Sequence, residues 1–514
     1  MPKTERTAKK RGIRIKNRII LTAVFLVIEL ALIQLVVHEM QSALIWLYTL
    51  FELLSIITVI YLVNKRGNPS YKIAWIVFIL LLPVFGLFIY LMWGGERMFP
   101  HLKRRMAKCE SHYMHTLSPS EEAVEAISRC DSSVKRQAAF LSGESGYPAY
   151  VGTQSRFLAP GEVFFQEFLK ELCQAKKYIF LEYFILAEGE MWDSILDILR
   201  QKARQGVEIK IIFDDFGSIR RQYRDFIARL AADGIEVSIF NPIKPSFNIF
   251  MNNRDHRKIA IIDGQVAFTG GINIGDEYIN RLRRFGYWMD CGILIRGKAV
   301  DSFVAMFAVM WEYNTGNMIS LSRHLLSQPV EGEGIYIPYS DGPMTHKSIA
   351  EGIYMQILNT AHRSVSIATP YLILDNNMVN VLTLASKSGV DVRILTPGVP
   401  DKKYVHPVTR FYYEELLEAG VKIYEYTPGF LHSKIFVSDD SVATVGSVNM
   451  DYRSFVFHFE CGVWFHERET VLQVRDHFED LLSQSRQITL AEWKKRSLAT
   501  RFSQWFWHLF SPLM

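Results

Sequence analysis

The second half of this 514-residue chain repeats the first, element by element. Residues 177–186 (KYIFLEYFIL) correspond to residues 363–372 (RSVSIATPYL), and each run reads as a strand. A helical stretch follows in both, ending at Gly206 and at Gly389. Next come two apolar runs, residues 207–213 (VEIKIIF) and 390–396 (VDVRILT), whose pattern predicts buried strands. After a second helix, residues 230–242 (LAADGIEVSIFNP) mirror residues 416–428 (LLEAGVKIYEYTP). Gly234 and Gly420 fall just past that helix, where a positive φ costs little only for glycine. Strands alternating with helices predict an α/β fold, here two duplicated αβα sandwich domains. The offset between the copies runs from 183 to 186 residues and then drops to 176 and 170, as expected of copies whose loops differ in length.

Each copy closes on the same constellation. The first reads HRKIAIID from His256 through Lys258 to Asp263, then GGIN ending at Asn273. The second reads HSKIFVSD from His432 through Lys434 to Asp439, then GSVN ending at Asn449. A single H-x-K-x4-D arises by chance in roughly one chain in thirty at ordinary composition. Two at equivalent places in a repeat, each with Asn seventeen residues after its His, do not. His and Lys two apart on a strand share a face. The following apolar residues bury the strand, and Asn returns after a glycine-rich turn. Two copies about a pseudo-twofold would bring two imidazoles, two ammonium groups and two amides into one cleft. Such a cleft suits a phosphodiester. The lysines and amides of Asn273 and Asn449 would hold the phosphate oxygens, one His would attack phosphorus, and the other would protonate the leaving oxygen.

Asp263 and Asp439 are the third members of the motif and are carried as catalytic candidates. Their odd offset from the His points them to the opposite strand face, beside a turn, so a stabilising role weighs evenly against a chemical one. Each histidine also needs an acceptor to fix its tautomer. Asp290-Cys-Gly and Glu460-Cys-Gly occupy matching strands, 34 and 28 residues after the histidines of their own copies. We expect Asp290 to orient His256 and Glu460 to orient His432.

Three apolar stretches open the chain: residues 19–37, 43–63 and 73–93, the last interrupted by Pro83 and Gly86. Each has about 20 residues, enough to cross a hydrocarbon core of roughly 30 Å. A cleaved leader is disfavoured, because no small-residue cleavage site follows the first stretch and two more come after it. Eight of the 58 Lys and Arg lie in the first eighteen residues beside one anion, Glu5. That arm places the N-terminus in the cytoplasm. Arg97, Lys103, Arg104, Arg105 and Lys108 follow the third stretch, so it is either a re-entrant or interfacial hairpin bent at Pro83 or the last span before an exported domain. Without the arm, 50 cations face 52 anions, a poor body for wrapping nucleic acid. The five cysteines lack metal-ligand spacing, and neither a metal nor another cofactor is expected. The apolar loop at residues 246–251 (SFNIFM), before His256, and the aromatic tail from Phe502 to Phe510 suit a lipid substrate and a membrane surface.

The doubled motif resembles that of the phospholipase D superfamily. Within it, NPSYKIAW (residues 68–75), PVFGLFIYLMWG (83–94) and RFSQWFWHLFSPLM (501–514) resemble the bacterial cardiolipin synthases. The resemblance implies two phospholipase D-like domains and a phosphatidyltransferase. It also implies that two phosphatidylglycerol molecules give cardiolipin and glycerol through a phosphatidyl-histidine, with His256 as nucleophile and His432 as acid and base. The partners are then phosphatidylglycerol and membrane lipids, not nucleic acid. The setting is the bacterial cell membrane, in a multi-pass protein. The expected organisation is a basic arm (1–18), a membrane region of two or three hydrophobic segments (19–95), a linker region (96–140), two domains (141–325 and 326–490) and an amphipathic interfacial tail (491–514). A hydrolase, or a transferase using another alcohol, would need the same catalytic residues. A nuclease would need a basic aromatic groove, and a non-enzymatic scaffold would not need two intact motifs.

Overall fold

The computed structural model describes residues 42–94, 100–218, 223–242, 252–344 and 348–511, with residues 27, 31 and 34 besides. The basic arm, nearly all of the first apolar stretch and the 246–251 loop lie outside them.

The second apolar stretch forms helix α1 (Ser42–Asn64). Its segment Ile45–Asn64 is long and apolar enough to cross a membrane. The third stretch breaks in two. Helix α2 (Pro69–Leu81) starts with Pro69 in its first turn and with the Asn68 side chain accepting the Ser70 N–H. Helix α3 (Pro83–Trp93) restarts behind Leu82, whose φ of −134° and ψ of 78° leave the helical region. Pro83 has no N–H to continue the ladder, so the break falls there. The two helices pack on each other and on α1. Gly86 permits the close approach, since a β-carbon there would lie 2.6 Å from the Phe78 carbonyl oxygen. At 13 and 11 residues α2 and α3 are too short to span. Among the described residues one helix, not two or three, has spanning length. The third stretch is thus the hairpin of the two readings, while the first stretch, the other candidate span of the multi-pass expectation, lies outside the described residues.

The first repeat builds a seven-stranded mixed sheet. Its strands are β1 (Thr153–Leu158), β2 (Tyr178–Tyr183), β3 (Glu208–Asp214), β4 (Glu236–Phe240), β5 (Lys258–Ile262), β6 (Val266–Gly270) and β7 (Gly292–Gly297). They lie in the order β1-β7-β6-β5-β2-β3-β4. The second repeat supplies β8 (Ile335–Asp341), β9 (Ser364–Ala368), β10 (Asp391–Pro397), β11 (Lys422–Tyr426), β12 (Ile435–Ser438), β13 (Val442–Gly446), β14 (Glu460–His466) and β15 (Ser485–Ile488). Their order is β15-β11-β10-β9-β12-β13-β14-β8, the same topology with one added edge strand. β2, β3 and β4 run parallel, as do β9, β10 and β11, because a helix crosses over between each pair. Gly206, Gly234, Gly389 and Gly420 all take positive φ, as their places past the helices require.

One face of each sheet looks into a common core. Ile259, Ile261, Ile293 and Ile295 from the first meet Ile435, Val437, Val445 and Val463 from the second, with the buried helix α4 (Val300–Thr315) packed among them. The two units are thus halves of one hydrophobic body, and full burial of each such side chain contributes about 1.5–3 kcal/mol. The outer faces carry their own helices and cores. The hairpin docks on the second half, where Tyr71 stacks on Tyr452 at 5.5 Å between centroids, beside Trp75 and Phe457. The C-terminal helix α5 (Leu498–His508) lays His508 on Phe411 and leaves Leu498, Phe502 and Trp505 more than half exposed.

Candidate active site

The strand ends do the positioning. The backbone N–H of His256 donates to the Phe459 carbonyl, and that of Phe459 donates to the Arg254 carbonyl. Across the pseudo-twofold, His432 N–H donates to Met289 and Met289 N–H to Phe430. The segment leading into each histidine is therefore paired with the segment leading into the acid of the other repeat. Asp214 supports the first of these by accepting the Asp255 N–H at 3.0 Å. Arg257, between His256 and Lys258, turns to the opposite face and ion-pairs with Glu182 at 2.6 Å and Asp255 at 3.2 Å.

This pairing crosses the orienting acids. His256 Nδ1 lies 2.9 and 3.0 Å from the two oxygens of Glu460. His432 Nδ1 lies 2.6 Å from Asp290 Oδ2. Each histidine is oriented by the carboxylate of the other half, which corrects the expectation that each copy supplies its own. Both acids are fully buried. Ser447 donates its hydroxyl to Glu460. Its counterpart in the first repeat is Gly271, where a β-carbon would fall 2.1 Å from Asp290 Oδ1. The G-[GS] position thus differs for a physical reason: Asp290 fills the space that Ser447 uses to clamp Glu460.

The lysines lie behind the histidines. Lys258 Nζ donates to the His256 carbonyl and Lys434 Nζ to the His432 carbonyl, and both side chains are buried. Lys258 also sits 5.5 Å from the Phe184 ring centroid. Burial pushes its ammonium pKa down to about 7, with the charge of Lys434 acting the same way. Burial likewise brings Lys434 down to about 8, against the pull of Asp290. Burial and the neighbouring lysines hold both imidazoles well below the ordinary histidine range, so their neutral forms are favoured. Burial raises Asp290 to about 7, with Lys434 opposing. Two neutral imidazoles, two partly charged lysines and two buried acids make a strongly coupled set whose protons belong to the group as a whole.

Asp263 and Asp439 are not in this set. Asp263, at φ +54°, accepts the backbone N–H groups of Lys176, Lys177 and Tyr178 at 2.7–2.9 Å. Asp439, at φ +55°, does the same for His362, Arg363 and Ser364. They tie the far end of the motif strand to the neighbouring strand, and their candidacy as catalytic groups is corrected on that ground. The asparagines are not equivalent either. Asn273 is spent inside its own half, its oxygen accepting Ile185 N–H and its amide donating to Tyr278. Asn449 keeps a buried side-chain oxygen without a hydrogen-bond partner. A metal ion would find ligand-type atoms in His256, His458 and Glu460, which lie within 4.8 Å of one another. However, His256 and Glu460 already share a hydrogen bond, and the two lysines oppose another cation.

Ser447, Trp288 and His458 escaped the sequence reading. The available signal was the repeat itself, because Trp288 and His458 each stand two residues before an orienting acid.

With this geometry in view, the comparisons are specific. A family model described as cardiolipin synthase, PLD-like domain, matches residues 168–311 and again 354–482, once per repeat. The chain belongs to the phospholipase D-like cardiolipin synthase family. A second model, phospholipase D-nuclease N-terminal, matches residues 53–95, the region of α1 to α3. The cardiolipin synthase of Geobacillus kaustophilus is 34% identical over 96% of this chain and 99% of its own length. Cardiolipin synthase 2 of Bacillus anthracis is 35% identical over 89% of each chain. An uncharacterized protein of Streptococcus mutans is 37% identical over 89% of this chain and 99% of its own. The crystal structure of the phosphatidylserine synthase of Haemophilus influenzae shares the fold. Its TM-score is 0.57 at 13% identity, covering 74% of this chain and 98% of that one.

Proposed function

We propose that this member of the family joins two phosphatidylglycerol molecules into cardiolipin and releases glycerol at a membrane surface. The observation that carries the reading is the crossed pairing of His256 with Glu460 and His432 with Asp290. It makes one site out of two half-motifs, with two imidazoles able to act from opposite sides of a phosphorus. In the first step neutral His256 Nε2 attacks phosphorus while its Nδ1–H stays on Glu460. The P–O bond to the glycerol headgroup breaks, and the His432–Asp290 pair delivers the proton the departing oxygen needs. Lys258 and Lys434 offset the charge on the non-bridging oxygens, and Asn449 lies beside them in the motif. In the second step His432 takes the proton of the terminal hydroxyl of another phosphatidylglycerol. That oxygen attacks phosphorus and releases His256. Each step forms one P–N or P–O bond and breaks the other, and the proton returns to the His432–Asp290 pair.

The docked hairpin supports a lipid substrate. Phe457, packed with Tyr71, immediately precedes His458 and the strand of Glu460, so the anchored helices adjoin the site. The test is to incubate the purified full-length protein with labelled phosphatidylglycerol in vesicles. Cardiolipin and glycerol in equal amounts support the reading. Phosphatidic acid as the sole lipid product would instead mark a hydrolase.

A further inference from the structure

One pair of buried rings takes no part in these steps. Trp288 and His458 stand two residues before Asp290 and Glu460 respectively, at equivalent places in the segments that lead into β7 and β14. Each also lies against the histidine that the acid orients. The Trp288 ring centroid is 5.3 Å from that of His432, and the His458 centroid is 5.2 Å from that of His256. The indole N–H of Trp288 faces the Asp290 carboxylate and favours its ionised form, but it falls outside hydrogen-bond geometry. His458 Nδ1 lies 3.6 Å from Glu460 Oε1, and both of its ring nitrogens are buried without a hydrogen bond. Two chemically different residues therefore share one property at equivalent places: a neutral ring nitrogen held just beyond reach of the orienting carboxylate of its own repeat.

We propose that Trp288 and His458 are a matched pair of positioning residues, each closing onto its acid when the neighbouring imidazole becomes cationic. This rests on the phosphatidyl-histidine reading above. When His256 gains its bond to phosphorus the ring carries a positive charge, and Glu460 must stay ionised and aligned to balance it. A shift of a few tenths of an ångström would turn the 3.6 Å approach into a hydrogen bond, the kind of tightening expected between a resting site and its reacting complex. The donor has to be neutral. Glu460 already faces His256, the Ser447 hydroxyl and the charges of Lys258 and Lys434, with Asp451 and Tyr354 near enough to interact. Asp290 faces His432, Lys434, Lys258, Tyr278 and the Cys291 N–H. A third cation in either place would oppose the lysines. Indole never takes up a proton, and burial brings His458 down to about 3, so both remain neutral.

The test uses the full-length protein in mixed micelles with a phosphatidyl ester of nitrophenol. Its nitrophenolate burst reads transfer to His256 whatever alcohol accepts the lipid later. His458→Phe should slow the burst roughly tenfold with KM unchanged. It should also alter the pH profile of the burst rate, because the carboxylate that balances the cationic His256 loses one of the groups facing it. His458→Trp, which borrows the ring N–H of the other half, should recover most of both. Trp288→Phe should leave the burst and slow the steady state by a similar factor. Thermal melting establishes that each variant is folded, and Trp288→Phe carries the test alone should His458→Phe not fold. A wild-type rate and pH profile in either folded Phe variant would overturn the proposal. So would His458→Trp proving as slow as His458→Phe. A wild-type protein without any burst would overturn the phosphatidyl-histidine reading and this proposal with it.

Discussion

The crossing of the acids makes a sharp kinetic prediction. In Glu460→Gln, His256 loses the negative charge that its Nδ1–H meets at 2.9 and 3.0 Å. The step at risk is formation of the phosphatidyl-histidine, where the ring becomes cationic. Two unit charges about 4 Å apart at an effective dielectric near 20 interact by about 4 kcal/mol. The glutamine keeps one neutral hydrogen bond worth about 1 kcal/mol. The net loss of about 3 kcal/mol slows that step roughly 10²-fold. With a nitrophenyl leaving group no acid is needed, so the burst isolates it. Glu460→Gln should slow the burst by that factor. Asp290→Asn should leave the burst intact and slow the later steady state, because Asp290 serves His432 at 2.6 Å. Had each acid served the histidine of its own repeat, the two variants would exchange phenotypes, and observing that exchange would refute the crossed assignment.

Asp263→Ala and Asp439→Ala should each lower thermal stability, by about 2–3 kcal/mol for three lost backbone acceptor contacts. Activity per folded molecule, measured by active-site titration, should not change. The lysines predict opposite trends above pH 7. Lys258 at about 7 and Lys434 at about 8 lose their protons before an unfolded lysine does. In that window the unfolded chain binds more protons, so the melting temperature should rise with pH, while kcat/KM on vesicles falls as the phosphate loses its cations. Finally, Leu498, Phe502 and Trp505 replaced together by Ser should weaken sedimentation with phosphatidylglycerol vesicles and lower activity on them. Turnover of a monomeric detergent-dispersed substrate should be preserved, and equal losses on both substrates would argue against a surface-binding tail.

Much of the molecule was legible from local pattern. The strands at residues 178–183, 208–214, 364–368 and 391–397 match the runs read from apolar patterning, the second and fourth running one residue past them, because a strand buried on both faces is written as an unbroken apolar segment. Gly234 and Gly420 were legible because helix ends impose a backbone geometry that few residues adopt. The third apolar stretch was less so. Its composition suits a span, but Pro83 and the close packing allowed by Gly86 turn it into a hairpin. Asp263 and Asp439 misled by position. They belong to the motif in sequence, yet they point to the opposite strand face and serve three backbone donors each.

What sequence alone determined is whatever repeats at short range: the duplication, the paired His and Lys on one strand face, and the apolar segments ahead of them. Those follow from the two-residue period of a strand and from hydrophobic run length. Only the tertiary structure decided which acid meets which histidine. His256 and Glu460 are 204 residues apart, and His432 and Asp290 are 142 apart. Their pairing depends on the backbone bridges Asp255–Phe459 and Met289–Leu431, which form only when two sheets share one core. The sequence carries each half of the site in its own repeat, and neither half contains the partner that its histidine uses.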